Sequence, residues 1–361
     1  GERISFGDNV NFIFETNDLR FASPATVSRM GMIFMSEEDV DTKRLITSWL
    51  KKQPEEDQAR MEGWIEDYLP IALDWALMRA ENMIVKTTKV GIVNSALSVV
   101  RGIKTKAELV YCLVKGLGSN FSTEMRSRLA SELFDRCKEV PSDPRLPLNC
   151  YYSQSSEGLK AFVAEHESFG TEELGDSSDP PVVRTIGVQR DIQMFKSWLE
   201  QGDPFIIVGP EGSGKNLMLR TAFKQLKSTQ VATLHCNAQT TASHVLQKLM
   251  HICVQSTSTS GKVLRPKESS RLILYLKDIN LPTPDKYNTI QLIAFLQQIV
   301  TYQGFYDNLD FVYLERVQIV ASMNPGSTVG RHELSPRFTA NVRVLVVDYP
   351  TREELIHVYT Q

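Results

Sequence analysis

The octapeptide GPEGSGKN at 209–216 carries the residue types that hold phosphate. Gly209, Gly212 and Gly214 free backbone N–H groups to wrap phosphate oxygens, and Lys215 brings a point charge to the outer phosphates. With Pro210, Glu211 and Ser213 between them, these residues match seven of the eight positions of G-x-x-x-x-G-K-[ST]. The eighth asks for a hydroxyl that binds Mg²⁺ directly, and this chain has Asn216 there. An amide oxygen can approach a cation, but it is neutral and sits on a longer arm. Phosphate binding is therefore expected to tolerate the change better than catalysis.

Other residues belong to the same chemistry. LYLKDIN at 274–280 ends in one acid, Asp278, flanked by Lys277 and Ile279. Hydrolytic phosphate-loop proteins place an acid there for Mg²⁺, and many add a second that activates water. If Asp278 is the metal ligand, Ile279 cannot be a base; if Asp278 is the base, Lys277 occupies the metal position with the wrong charge. Asn216 and Asp278 are the candidate ligands of a weak Mg²⁺ site. Asn324, at the end of VQIVASMN (317–324), can orient a water beside a terminal phosphate, although Asn before Pro is also an ordinary turn starter.

Arg337 in SPRF and Arg29 near the start form a pair by position. Asn17 to Arg29 is 12 residues and Asn324 to Arg337 is 13, each Asn closing a β-type run and each Arg preceding another. A lone arginine is most simply a surface ion pair. Two at matched places in a coarse repeat are expected to be fingers that stabilise charge on a neighbouring module's transferring phosphate. Asp278, Asn324, Arg337 and Arg29 are thus the catalytic candidates. The six histidines lack ligand spacing, and His332 in GRHELSPRF is expected to make a local loop contact.

A phosphate loop needs a buried strand before it and an amphipathic helix after it. FIIVG (205–209) and LMLRTAFKQL provide them. VATLHCN (231–237), LILYLKD (272–278), VQIVASMN (317–324) and VRVLVVDY (342–349) are further β-type runs separated by helical patterns. The expected fold is α/β: a doubly wound, parallel five-stranded sheet with helices on both faces. A helix at about 188–200, stopped by Gly202, leads into it.

The rest of the chain divides by pattern. Residues 1–36, with NFIFETN (11–17) and GMIFMS (31–36), read as the last two strands of a preceding α/β domain whose front half lies outside the chain. Residues 37–139 read as that domain's helical lid. Residues 140–182, with PSDPRLP, SQSSEG and ELGDSSDPP, read as an exposed connector with minor sheet at NCYYSQ. Residues 183–361 form the phosphate-loop domain, its own lid expected beyond residue 361, so the chain reads as a fragment.

Composition limits the partners. At 361 residues the chain has room for two domains, and a net charge of −3 offers no basic patch for nucleic acid. Its five cysteines lack C-x-x-C spacing and are expected to be reduced thiols. No apolar run reaches the ~18 residues of a membrane span, so no membrane insertion is expected.

Together VGPEGSGKNLMLRTAF, LYLKDINLPTPDKYNTIQLIAFLQQIVTYQGFYD, VQIVASMNPGSTVGRHELSPRF and VDYP resemble the third AAA+ module of a dynein heavy chain. FETNDLRFASPATVSRMGMIF resembles the end of the second. GPEG, KDINLP and ASPATVSRMGMIF are most similar to the cytoplasmic dynein 2 class, the motor of retrograde intraflagellar transport. The resemblance covers essentially the whole chain and implies a ring of AAA+ modules on one polypeptide. In that ring the first module is the main hydrolytic engine and the third a regulatory ATP/ADP site.

By residue, the resemblance makes Asp278 the counterpart of the catalytic acid, Asn324 the sensor, and Arg337 and Arg29 inter-module fingers. Val183 and Thr185 fall near the adenine. It also implies a minus-end-directed ATPase that reaches the microtubule through an absent stalk, and accessory chains and intraflagellar transport particles through an absent tail. Cytoplasm, cytoskeleton and cilium are the implied locations. Two other readings stand beside a regulatory site. One is a structural module with permanently bound nucleotide; the other is a tandem AAA+ ring of ribosome assembly, which would lack the INLP-x-x-DKY run.

Overall fold

The computed structural model describes residues 4–16, 18–165, 181–258 and 261–360. The chain divides into two compact units, Gly1–Asp39 and Val40–Gln361.

In the first unit a short helix, α1 (Pro24–Val27), starts at Ser23, whose side chain accepts the Thr26 N–H. No strand forms among this unit's described residues, so the expectation of strands at 11–17 and 31–36 is corrected. Ile13 is 95% exposed and Phe34 90%. A strand persists only where a neighbour takes up its backbone N–H and C=O groups and something covers its apolar face. Among the described residues this unit supplies neither. Asn17 lies outside the described residues. Arg29 follows α1 with its side chain exposed, and its N–H donates to the Thr26 carbonyl at 3.3 Å.

The second unit opens with helices α2 (Thr42–Leu50), α3 (Glu55–Leu77), α4 (Lys89–Val99), α5 (Lys106–Gly118) and α6 (Thr123–Arg136). Asp41, Thr88, Thr105 and Ser122 cap α2, α4, α5 and α6 by accepting first-turn N–H groups. Behind the bundle, β1 (Cys150–Ser153) and β2 (Gly158–Ala161) pair antiparallel. The first half of the expected connector is not simply exposed. Pro147, Cys150 and Tyr152 are buried, and the Thr105 hydroxyl donates to that of Tyr152 at 3.0 Å, because alternate residues of β1 are apolar. The remainder, 166–180, lies outside the described residues.

The phosphate-loop region runs from α7 (Ile186–Gln201) and β3 (Phe205–Val208) through α8 (Lys215–Lys224), β4 (Thr229–His235) and α9 (Ala242–Ile252). It continues with β5 (Cys253–Ser258), β6 (Gly261–Pro266), β7 (Arg271–Lys277), α10 (Gln291–Tyr302), β8 (Gly304–Asp307) and β9 (Asp310–Leu314). β10 (Val317–Met323), α11 (Pro336–Thr339), β11 (Arg343–Val346) and α12 (Arg352–Thr360) complete it. Five strands form one parallel sheet in the order β11-β3-β10-β7-β4. This is the doubly wound α/β sheet expected from the sequence, the AAA+ arrangement, with the loop-bearing strand β3 in its interior.

The strands β3, β7, β10 and β11 bury both faces, which is why these runs are nearly continuously apolar, whereas the edge strand β4 buries only Ala232. Ile207, Ile273, Tyr275, Val320 and Leu345 share one core with α7, α8 and the helical bundle. Ile206, Leu274, Ala321, Met323 and Val344 share the other with α9, α10 and a second sheet. That second sheet, β5-β6-β9-β8, goes beyond the sequence reading, which expected only the five parallel strands here. Ser and Thr in β5 hide its periodicity; pairing with β6, whose Val263 and Leu264 are buried, makes it a strand.

The bundle closes the β11 edge of the parallel sheet. The Val346 N–H donates to Ser119 O at 2.8 Å, and Arg126 Nη2 donates to Val346 O at 2.8 Å. Arg126 also donates to the carbonyls of Gly118 at 3.1 Å and Phe121 at 3.2 Å, and lies 3.9 Å from Asp191. An edge strand with unspent backbone groups thus gains a fixed partner. Burial lowers the Arg126 pKa to about 10, and Asp191 opposes that shift.

Candidate phosphate-binding site

The loop leaves β3 tightly held. The Gly209 N–H donates to Met323 O at 3.2 Å, and the Val347 N–H donates to Val208 O at 2.8 Å. A Cβ on Gly209 would stand 2.4 Å from Val347 O, so the close approach of two strands requires glycine there. Gly214 has φ +82° and caps α8. That left-handed turn aims the first N–H groups of α8 back into the loop.

Lys215, the first residue of α8, turns inward. Its Nζ donates to Gly209 O at 2.7 Å, Pro210 O at 2.6 Å and Asn324 Oδ1 at 3.2 Å. Burial lowers its pKa, while Asp278 and Glu211 pull it upward. Asn324, at the end of β10, is buried, and its Nδ2 donates to Glu211 Oε1 at 3.0 Å. The loop lysine, the loop acid and the expected sensor are therefore one hydrogen-bonded chain.

Asp278 follows β7 with φ +59°, a left-handed backbone that Asp tolerates better than most residues and that turns the chain sharply out of the sheet. Its Oδ1 lies 3.2 Å from Arg331 Nη1, and Arg331 Nη2 lies 3.8 Å from Glu211 Oε1. Asn280, fully buried two residues on, fixes the segment that bears Arg331. Its Nδ2 donates to Asn324 O at 2.9 Å, and its carbonyl accepts the His332 N–H at 3.0 Å. His332 thus makes a backbone loop contact, whereas its neighbour Arg331 reaches the site.

Asn216 faces a different partner. Its Oδ1 accepts a hydrogen bond from the Tyr275 hydroxyl, which lies 2.8 Å from Ser322 Oγ. Burial pushes the Tyr275 pKa up to about 12, so its hydroxyl stays protonated and able to donate. Strand alternation sets Lys277 on the same sheet face as Tyr275. Lys277 thus stands on the sheet face over which Asn216 and the start of α8 lie.

The donor set does not fit a Mg²⁺ ion held jointly by Asn216 and Asp278. The amide oxygen of Asn216 is engaged by Tyr275, the carboxylate of Asp278 is paired with Arg331, and an ammonium shares the face of Asn216. Among the described residues no group of three or more His, Cys, Asp or Glu could hold a metal ion.

Thr185 is buried and caps α7 by accepting the Val188 N–H at 3.2 Å, and Val183 is half-buried just before it. At the same helix end the Gly187 N–H donates to Glu354 Oε1 at 2.6 Å, bringing α12 to this corner. Arg337 is exposed on α11. Tyr275, Asn280, Ser322, Arg331 and Glu354 were not singled out from sequence. Arg331 lies in the quoted GRHELSPRF run, and its only signal was a basic residue close after Asn324.

The comparisons with known proteins agree with this fold. Residues 41–137 match the family described as "Cytoplasmic dynein 2 heavy chain 1, AAA+ ATPase domain", and residues 178–350 match "P-loop containing dynein motor region". The chain is 49% identical to cytoplasmic dynein 2 heavy chain 1 of Tripneustes gratilla and 48% identical to that of Homo sapiens, over 100% and 99% of its length. It is 25% identical to a cytoplasmic dynein heavy chain of Paramecium tetraurelia over 99% of its length. The chain spans 8% of the length of the first two and 9% of the third. Matched from end to end, with its bundle and its phosphate-loop region each falling in a dynein family, the chain belongs to the dynein heavy-chain family.

Proposed function

We propose that this chain is the regulatory nucleotide-binding segment of an ATP-driven, minus-end-directed microtubule motor of the dynein 2 type, and that its site holds ATP or ADP with weak or absent hydrolysis. The observation that carries this reading is the pairing of Tyr275 with Asn216. It occupies the atom that would have to replace the missing metal-binding hydroxyl, while the loop, Lys215 and Asn324 keep the geometry that cradles phosphate. Any divalent cation entering with the nucleotide would draw its ligands from phosphate and water.

A site of this kind acts on its ring only through different affinities for the ring's states, so exchange of ATP for ADP is its signal. In this reading residues 1–36 close a second AAA+ module, 37–139 form its lid, 140–182 connect, and 183–361 are the third module's large domain. Arg29 and Arg337 are fingers for neighbouring modules' sites, and Val183 and Thr185 border the adenine. The partners are the other AAA+ modules, the microtubule, accessory chains and intraflagellar transport particles, in cytoplasm, cytoskeleton and cilium.

The test is to load the chain, extended to include the next module, with ATP and Mg²⁺, remove free nucleotide, and follow the bound ATP-to-ADP ratio for an hour. Persistent ATP supports a holding site. Conversion to ADP that Asp278→Asn abolishes overturns it, because Asp278 would then be working as a catalytic base. In the complete motor, Lys215→Ala is expected to change velocity while leaving ATPase, and loss of all ATPase would overturn the regulatory assignment.

A further inference from the structure

Arg331 is a charged group at this site with buried bonding capacity left unused. Its side chain is 13% exposed and approaches two acids, Asp278 at 3.2 Å and Glu211 at 3.8 Å. Yet its Nη1 is buried and makes no hydrogen bond, so the approach to Asp278 is ionic without donor alignment. A buried guanidinium nitrogen left in that condition costs free energy until an acceptor reaches it.

The surrounding charges point to the class of that acceptor. Lys215, Lys277 and Arg331 stand against Asp278 and Glu211, leaving one net positive charge beside the phosphate-cradling loop. Asp278 and Asn324 mark the side of the loop where the terminal phosphate of a bound triphosphate belongs. The arginine is delivered there by backbone: its N–H donates to Thr328 O at 3.1 Å, and the next residue is bonded to Asn280, which also holds Asn324. It needs no neighbouring subunit to arrive.

We infer that Arg331 is an arginine acting in cis that reads the terminal phosphate of a nucleoside triphosphate, exchanging its ion pairs with Asp278 and Glu211 for charge-assisted hydrogen bonds to phosphate oxygen. This rests on the reading of the loop as a nucleotide site. Arg331 gives that site its preference for triphosphate over diphosphate. Asp278 competes with the phosphate for Arg331, which is a use for an acid that has no metal to hold.

The test is a fluorescence titration of the 361-residue chain with N-methylanthraniloyl-labelled ADP and ATPγS, on the parent, Arg331→Gln, Arg331→Lys and Asp278→Asn, with far-ultraviolet circular dichroism to establish folding. Arg331→Gln is expected to weaken ATPγS about tenfold or more and ADP by less than about twofold. Arg331→Lys keeps the charge without the fork and should fall between; it carries the test if the glutamine variant fails to fold. Asp278→Asn should tighten ATPγS in the parent but not in the Arg331→Gln background, a coupling that a purely structural role would not produce. Equal losses for both nucleotides, or no loss, overturn the role of Arg331 and leave the nucleotide site standing. A parent that binds neither nucleotide overturns both.

Discussion

The hydroxyl of Tyr275 and the side-chain oxygen of Asn216 are hydrogen-bonded to each other across the interface between β7 and the first turn of α8. The residue that breaks the phosphate-loop pattern is therefore not an isolated loss. It belongs to a buried polar chain, Asn216–Tyr275–Ser322, that ties the loop helix to two central strands. In a low-dielectric interior such a chain is rigid when its members are satisfied. The helix that presents the loop N–H groups gains a fixed position in exchange for a metal ligand.

Restoring the hydroxyl alone should not restore hydrolysis. Asn216→Thr leaves Lys277 on the metal-facing side of β7, so phosphate release is expected to stay within about threefold of the parent. Asn216→Thr with Lys277→Asp rebuilds both missing groups and should raise it about tenfold or more, equivalent to about 1.4 kcal/mol of barrier. A single-turnover assay decides, and a large gain from Asn216→Thr alone would count against Lys277 as the block.

Removing the Tyr275 hydroxyl should cost stability. In Tyr275→Phe the Asn216 oxygen and the Ser322 hydroxyl each lose a buried partner, an expected loss of about 1–3 kcal/mol in urea unfolding. A loss near zero would mean that the side chains repack around water.

The same tyrosine shapes the alkaline limb. Burial pushes Tyr275 up from 10.0 to about 12 and Cys236 up from 9.0 to about 12, with Asp278 adding to both. Above pH ~9 the unfolded chain releases protons that the folded protein keeps, so stability falls as pH rises towards ~12 and is fully present below pH ~9. Melting temperature against pH should show this decline, and Cys236→Ala and Tyr275→Phe should each flatten it.

Arg126→Met should loosen the bundle from the sheet. It strips a donor from the buried carbonyl of Val346 and from three bundle carbonyls, and leaves Asp191 with Arg190, whose Nε is 3.1 Å away. The expected loss is about 3 kcal/mol, reduced by the remaining pair. Protease nicking around 118–123, measured by mass spectrometry, should increase.

Gly209→Ala should act on the loop directly. A methyl group 2.4 Å from the Val347 carbonyl forces β3 and β11 apart where the loop begins. Nucleotide affinity should fall about tenfold or more, with a stability loss of about 1–3 kcal/mol. Isothermal titration and thermal unfolding separate the two effects.

Much of this protein is determined by sequence alone, because its signals are local. Short β-type runs bounded by turn residues mark the five parallel strands, Gly209, Gly214 and Lys215 mark the loop, and apolar residues at helical spacing mark the helices. A residue's type and its neighbours within one turn or one strand suffice for these. Tertiary structure alone decided the rest. The runs at 11–16 and 31–36 have strand composition but no strand partner among the described residues of their unit, and β5 has little strand pattern but is held by β6. Whether Asn216 could serve a cation depended on Tyr275, 59 residues away, and whether Asp278 stands alone depended on Arg331, 53 residues away. A side chain's bonding capacity is spent by whatever the fold brings beside it, and spacing along the chain does not encode that neighbour.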